Sequence, residues 1–430
     1  MYSTRLLILL IASTFSYTFY YHTLPFLVYE DTEIPNATNS FGLILENDSY
    51  QGKVKSSFYF ITGIGSILFC CLSDVLGRKV VLTASIVLSI AFNVFALLSI
   101  SPLTLMTVHT GMGLNFCTGL VQGYLLLCES IPKTQKKFMT GLLFATWGLS
   151  LFLSSFLYKL SIHWKIINLV PLLLSILVYL MLAKYFESPV HLISVGDLET
   201  SEAVMTQISM NETNREPSKP IIESLKSFKD YLGYLKDFGS NKGLLVVLWF
   251  NLVLVYNSLW NTRIKYTENF FSDSMIAGLL MCSAAVFAAF NERLNFWEVF
   301  LGSVVSSRVS VFLLYFIEGN DLPVKFFYAV ACIGLVNEAF SLFFITEELV
   351  KGRIKSKVFG VLIFIAFGVN FEIKSNFFYR NPSRNQCLLC SLAALSSVFA
   401  LKCLKNAEVK SSMDLLIPAK SENFEMRTIN

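Results

Sequence analysis

Charge is what this chain has least of. Lys, Arg, Asp and Glu make up only 15% of its 430 residues, hydrophobic residues make up 54%, and the mean hydropathy is +0.59. Soluble domains carry about a quarter charged residues, so this scarcity excludes a water-exposed globular surface and places the chain in a bilayer. The net charge of +4 is spread over short loops. The lack of any basic block excludes a nucleic-acid surface or a polybasic lipid anchor. A G-x-x-x-x-G-K-[ST] loop is missing too, which argues against ATP drive within this chain. No clustered nucleophile, base or metal-ligand set stands out, so neither an enzyme, a metal nor a cofactor is expected. Of nine cysteines, Cys70, Cys71, Cys117, Cys128, Cys282, Cys332 and Cys403 sit in or beside apolar runs, as small buried hydrophobes do. The C-x-x-C of Cys387 and Cys390 opens an apolar run with no second ligand pair, and reads as packing.

Long apolar runs, by contrast, are abundant. A helix needs about 20 apolar residues to cross the hydrocarbon. Runs of that order lie at 6–28, 56–73, 80–100, 103–127, 140–160 and 166–185, and again at 243–261, 274–290, 297–317, 323–346, 358–372 and 386–404. They predict an all-α membrane protein of twelve helices in two six-helix bundles, 1–185 and 243–405. A polar loop at 186–242 joins the bundles, and a tail follows at 406–430. The first run follows Arg5 as a signal peptide would, but its apolar character continues through Tyr17 and Phe26 to Val28. It is read as a retained helix.

Sequons at Asn36 and Asn47 predict glycosylation of the loop after the first run, which puts that loop outside the cytosol and both termini inside. A third, at Asn211, then falls on the cytosolic side and stays unmodified. The loops carrying Arg78 and Lys79, then Lys133, Lys136 and Lys137, then Lys351, Arg353, Lys355 and Lys357 fit that orientation, whereas Lys374, Arg380 and Arg384 run against it. The plasma membrane is the expected location.

One framework occurs twice. Glu129, Lys136 and Gly141 recur as Glu348, Lys355 and Gly360 at the same offset (348 − 129 = 355 − 136 = 219). A chain built of two related halves of membrane helices points toward a transporter. After the second run, Asp74, Gly77, Arg78 and Lys79 form a very short turn. There a carboxylate can sit at a neighbouring helix N-terminus, where the backbone dipole favours it, and Arg78 can pair with an acid such as Glu129. The turn then acts as an electrostatic latch; the plainer alternative is a solvated turn whose charges only set topology.

The segment C-L-S-D-V-L-G-R-K resembles the signature loop G-x-L-x-D-x-x-G-R-K of the major facilitator superfamily, with Cys70 for its first Gly and Leu72 matching its Leu. His109 and Gly113 stand where that family has an Arg and a Gly on its fourth helix. Glu187-Ser188-Pro189-Val190-His191-Leu192 and Trp164-Lys165 are similar to the E-S-P-R-W-L and W-R of its organic-ion and sugar branches. The Glu348–Gly360 segment resembles the E-L-x-P-T-x-x-R-x-x-x-x-G of the organic-ion branch, with Lys355 for Arg. Where a second basic turn belongs, Asn291-Glu292-Arg293-Leu294 keeps one basic charge. The resemblance implies two six-helix bundles around a central cavity that opens to one side at a time. It also implies a cytosolic gate of Asp74, Gly77, Arg78, Lys79, Glu129, Lys136, Glu348 and Lys355.

Ionisable side chains inside spans are costly and are functional candidates. Arg308 and Glu338 are two such residues, able to neutralise each other. The organic-ion branch often carries a charge twelve residues past the gate Arg; here that position is Phe367, with Asn370 and Glu372 shortly after. The substrate-binding candidates are Asn115, Gln122, Tyr124, Trp147, Asn251, Glu338, Phe367 and Asn370, on helices that line the cavity in that family. The function expected is secondary-active or facilitative transport of a small organic solute, most like the organic-ion branch, by a monomer in the lipid bilayer. The alternatives are a sugar-type carrier and a non-transporting receptor or trafficking protein on the same scaffold.

Overall fold

A computed structural model of the chain describes residues 2–27, 48–131, 133–209, 239–266, 270–291, 296–314, 321–350 and 355–376, with helical residues between 392 and 403. Asn36, Asn47, Asn211 and the tail 406–430 lie outside the described residues. The first half consists of α1 (Tyr2–Leu27), α2 (Asp48–Leu76), α3 (Arg78–Leu98), α4 (Pro102–Ser130), α5 (Lys133–Lys159), a short α6 (Trp164–Ile167) and α7 (Leu169–Leu182). Then come α8 (Pro189–Val195), α9 (Leu198–Ser209), α10 (Gly239–Tyr266), α11 (Phe270–Phe290), α12 (Phe296–Leu314), α13 (Asp321–Leu349) and α14 (Lys355–Asn376). Among the described residues, eight helical segments are long and apolar enough to cross a membrane, the α6–α7 pair counted as one.

Local chemistry sets the helix limits. Ser101 caps α4 by accepting from the Thr104 N–H, Thr104 answers on the Ser101 backbone, and Pro102 occupies the first helical position. The expected loop at 186–242 is in part helical. Ser188 caps α8 and Pro189 starts it, and Gly196, left-handed at φ +88°, stops it before α9.

Burial is inverted relative to a soluble protein. Ser and Thr side chains such as Thr62, Ser66, Ser154 and Ser307 are buried, while Phe95, Leu103 and Phe287 are exposed and Ile100 is 88% exposed. An outer surface of this kind is matched by hydrocarbon and not by water. Many of the buried hydroxyls bond within their own helices, Thr62 donating to the Phe58 carbonyl at 2.7 Å and Ser154 to the Leu151 carbonyl at 3.0 Å.

In the first half α1 packs on α4, α5 and α7; in the second α12 packs on α13, and α10 on α13 and α14. The halves meet along two seams, α5 with α11 and α2 with α14. Lipid offers no hydrophobic force between helices, so close approach through small residues is what holds such a seam. A Cβ on Gly141 would lie 2.3 Å from the Ala289 Cβ and 3.1 Å from the Ala285 carbonyl oxygen. A Cβ on Gly360 would lie 2.7 Å from both the Cys70 Cβ and the Ser66 carbonyl oxygen. The two contacts are one contact repeated: 141 + 219 = 360, 66 + 219 = 285 and 70 + 219 = 289.

One step further along, the seams part company. Gly148 and Gly278 bring α5 and α11 backbone to backbone, with a Cβ on Gly148 only 2.5 Å from the Gly278 carbonyl oxygen. At the same offset (148 + 219 = 367, 59 + 219 = 278) the other seam has the rings of Tyr59 and Phe367, with centroids 5.7 Å apart. Two rings need more room than two glycines, so α2 and α14 stand further apart there than α5 and α11.

Gly278→Ala forces a methyl against the α5 backbone and is expected to destabilise by about 1–3 kcal/mol. Gly302, exposed on α12, has open space at its Cβ. Gly302→Ala is therefore expected to be neutral or slightly stabilising. Thermal melts of the purified protein in detergent check both, and equal melts would count against the seam.

Candidate functional site

The turn between α2 and α3 is built around Arg78, which is fully buried. Its guanidinium lies 3.2 Å from Asp74 and 3.2 Å from Glu129, donates to the Ser73 carbonyl at 3.0 Å and meets His191 Nδ1 at 3.4 Å. Burying such a cation costs several kcal/mol unless it is paired, and two carboxylates offset that cost. Asp74 also faces Lys357 in the first turn of α14, both its backbone N–H and its ammonium. This is a carboxylate of one half at a helix N-terminus of the other.

Gly77 has φ +107° and starts α3. A Cβ there would lie 2.3 Å from Oε2 of Glu187. Glu187 accepts from the Lys79 N–H at 2.9 and 3.1 Å and from the Val80 N–H at 3.4 Å, capping the positive end of α3. The Lys79 ammonium binds the Tyr185 carbonyl, and Ser188 Oγ donates to Glu129. The E-S-P segment therefore locks the turn from the side of α8.

Across the halves at this end, Lys136 of α5 lies 3.2 Å from Glu347 of α13, and Lys355 of α14 binds the same carboxylate. Gln122 Nε2 donates to Ser356 Oγ at 2.9 Å, and Ser66 Oγ to the Gly360 carbonyl at 3.0 Å. Lys137 donates to the Asn291 carbonyl at 2.6 Å, so a lysine from the first half serves the position where a second basic turn was expected. Above these ties lies an aromatic floor. Tyr124 and Phe144 of the first half meet Phe343 at 5.2 and 5.0 Å, and Trp249 and Phe359 complete the layer. Above the floor is a cavity of about 70 Å³ between the halves, lined by α1, α4 and α5 on one side and α10, α11, α13 and α14 on the other.

Several expected placements change. The acid shared by the lysines is Glu347, whereas Glu348 is exposed. Each residue turns a helix by about 100°, so one step moves an acid off the inward face. Of the expected ligands, Trp147 and Phe367 line the cavity. Gln122 is a tie between halves and Tyr124 part of the floor. Asn115 is buried within the first half, where its backbone carbonyl accepts from Ser85 at 3.5 Å. Asn251 donates to Ser396 and Ser397 at 2.8 and 2.9 Å. Glu338 is turned into a two-oxygen pair with Arg308, the longer bond 2.7 Å, between α12 and α13. It is not among the residues that line the cavity. Asn370 lies on α14 beyond the described side chains. Tyr256, on the same helix as Asn251 and open to the same expectation, lines the cavity, and Tyr21, Trp249 and Glu347 complete the site without having been candidates. Glu347 follows Phe343 by four residues, one helical turn, and that phase was a usable signal.

The Major Facilitator Superfamily profile matches residues 6–369. The chain belongs to that family. Solved structures similar to it include the proton:xylose symporter XylE bound to 6-bromo-6-deoxy-D-glucose, at TM-score 0.74 and 14% identity over 92% of this chain and 95% of that one. A partially occluded inward-open form of the xylose transporter XylE from E. coli matches at TM-score 0.67, with 14% identity over 92% and 97% of the two chains. The human organic anion transporter MFSD10 matches at TM-score 0.64 and 13% identity over 93% and 98%. At these identities the likeness shows the fold alone. No curated protein matches the chain significantly. As a Major Facilitator Superfamily member, the chain is a multi-pass membrane protein of the transporter type.

Gly77→Ala both strains a positive φ and displaces Glu187 from α3, and is expected to cost about 1–3 kcal/mol. Glu187→Ala removes the same cap, so the double variant is expected to lose less than the sum of the two singles in thermal melts. Strict additivity would mean that Gly77 and Glu187 are not coupled.

Proposed function

We propose that the chain moves a small organic solute across the membrane by alternating access, with the cavity between the halves as its site. The observation that carries this reading is the arrangement along one axis: a space between two pseudo-symmetric halves, an aromatic floor, and below it ionic and hydrogen-bonded ties that join one half to the other. The α5–α11 seam, close-packed at both Gly141 and Gly148, serves as the pivot. The Lys136–Glu347–Lys355 cluster, the Gln122–Ser356 bond and the Asp74 carboxylate at α14 form the gate that parts when the floor opens. The two lysine side chains keep 15 and 17% of their surface exposed. Parting the cluster exchanges protein partners for water, so these ties bias the closed state without fixing it.

The gate end is assigned to the cytosol, along with both termini, because its loops are rich in Lys and Arg. Asn36 and Asn47 then lie outside and carry glycans, and passage through the secretory route leads to the plasma membrane. The protein acts as a monomer, since each chain holds a complete cavity and gate. The gate framework is similar to that of the organic-ion branch. The sugar-type reading has weaker support, because few hydrogen-bonding groups line the cavity.

Flux of labelled organic ions, sugars and uncharged aromatics into proteoliposomes tests the reading. Glu347→Gln and Asp74→Ala are each expected to slow transport at least five-fold with a smaller change in solute binding, and Glu348→Gln to stay within two-fold of the parent. A folded protein that moves no solute class favours the receptor alternative, and equal effects of the two glutamate variants sink the gate as drawn.

A further inference from the structure

Among the described residues, the cavity wall carries no fixed charge. No carboxylate, ammonium, guanidinium or imidazole is among its lining side chains, and its polar atoms are confined to tyrosine hydroxyls, indole N–H groups and the Cys117 thiol. The buried charges are used elsewhere. Arg308 and Glu338 satisfy each other between α12 and α13, and Arg78, Asp74, Glu129, Lys136, Glu347 and Lys355 all lie beneath the aromatic floor. His109 is bound through Nδ1 to Tyr20, and His22 stands behind Trp147 and Tyr21 with its ring against theirs.

Polar capacity gathers at one place. Tyr21 and Tyr256 line the cavity with ring centroids 5.9 Å apart, and the Tyr21 hydroxyl lies 3.1 Å from that of Tyr59. Toward the floor, Trp249 has its N–H committed to Thr346 Oγ1 at 3.1 Å, leaving a ring surface there. The space is therefore apolar and aromatic with a single hydrogen-bonding end.

We propose that this cavity, about 70 Å³ in the closed form and widened as the floor parts, takes a small uncharged aromatic solute with one hydrogen-bonding end, of the aryl amide or aryl alcohol class, and discriminates against organic ions and sugars. This rests on the transport reading of the same cavity. Three comparisons of magnitude support it. An ion left without a partner in such a site costs several kcal/mol. A desolvated cation–π contact returns about 2, and here the aromatic faces are largely engaged with one another: Tyr21 stacks on Phe116 at 4.8 Å, and Trp147 meets His22 and Tyr256 edge to face. A sugar would leave several hydroxyls unpaired at about 1–3 kcal/mol each. A flat ring loses little, since it exchanges water for ring and aliphatic contacts, and its one polar end meets the tyrosines.

Three compounds of one shape provide the test: neutral nicotinamide, anionic nicotinate and cationic N1-methylnicotinamide, with D-glucose as a fourth. Binding is measured by calorimetry on the full chain in lipid nanodiscs against empty nanodiscs, and movement by counterflow of labelled compound in proteoliposomes. Nicotinamide is expected to bind at least ten-fold more tightly than the other three. Tyr256→Phe is expected to weaken it about five-fold, the value of one hydrogen bond. Phe367→Asp, which sets a carboxylate in the wall, is expected to shift the preference to N1-methylnicotinamide. Binding of nicotinamide without counterflow would uphold the site's chemistry and overturn transport. Counterflow of either charged compound or of glucose in preference to nicotinamide would overturn the solute class and leave transport standing. No binding of any of the four to folded protein would overturn the proposal.

Discussion

The contact of Gly148 with Gly278 is the constraint on which the rest of the molecule depends. Two helices from different halves come together there at the distance of bare backbones. In a bilayer this closeness is itself the source of attraction, because dispersion falls off steeply with distance and lipid tails compete for any looser surface. The seam sets where one half can turn against the other. It also sets the asymmetry of the cavity, because the related position on the opposite seam holds Tyr59 and Phe367, and one of those rings becomes cavity wall. The duplicated framework is conserved in space at Gly141 and Gly360 and broken one step later, so a pseudo-symmetric scaffold acquires one tight side and one wider side.

The two guanidinium groups buried in the described structure are treated alike and used differently. Arg78 lies at helix ends and joins α2, α4 and α8 through Asp74, Glu129 and His191. Arg308 lies within the second half and is held by Glu338 alone among carboxylates. Each pair answers the cost of burying charge in a medium of low dielectric. Both lie away from the central space, whose described wall is apolar.

Much of the architecture was legible. Length and continuity of apolar runs carry the position of a membrane helix, because every backbone group must be satisfied inside the bilayer and only a helix does this within one segment. The Asp74–Lys79 turn was legible for another reason: its role depends on residues adjacent in sequence and on a glycine with positive φ. What escaped was the phase of each helix. Glu347 and Glu348 are neighbours in an acidic pair, and only the packing of α13 shows which one meets Lys136. Gln122 and Tyr124 lie on a polar-looking stretch of α4, yet one ties the halves together and the other builds the floor, two levels of the same axis that sequence spacing does not separate. Glu338 was open to two readings, a ligand or half of a pair with Arg308, and the packing of α12 on α13 shows the pair.

By itself, then, the sequence determined a two-fold repeated set of membrane helices, the charged turn with its glycine, and the positions where an acid, a lysine and a glycine recur 219 residues apart. These are properties of single segments or of the chain's own periodicity, and hydropathy and local backbone geometry suffice for them. The tertiary structure alone decided which side chains meet: that Glu347 holds two lysines, that Arg308 does pair with Glu338, and that the described wall of the shared space is made of rings and aliphatic groups without charge. The physical reason is that a helix presents a new direction every 100°, so whether a residue becomes gate, floor or wall depends on rotations and contacts that only the packed halves define.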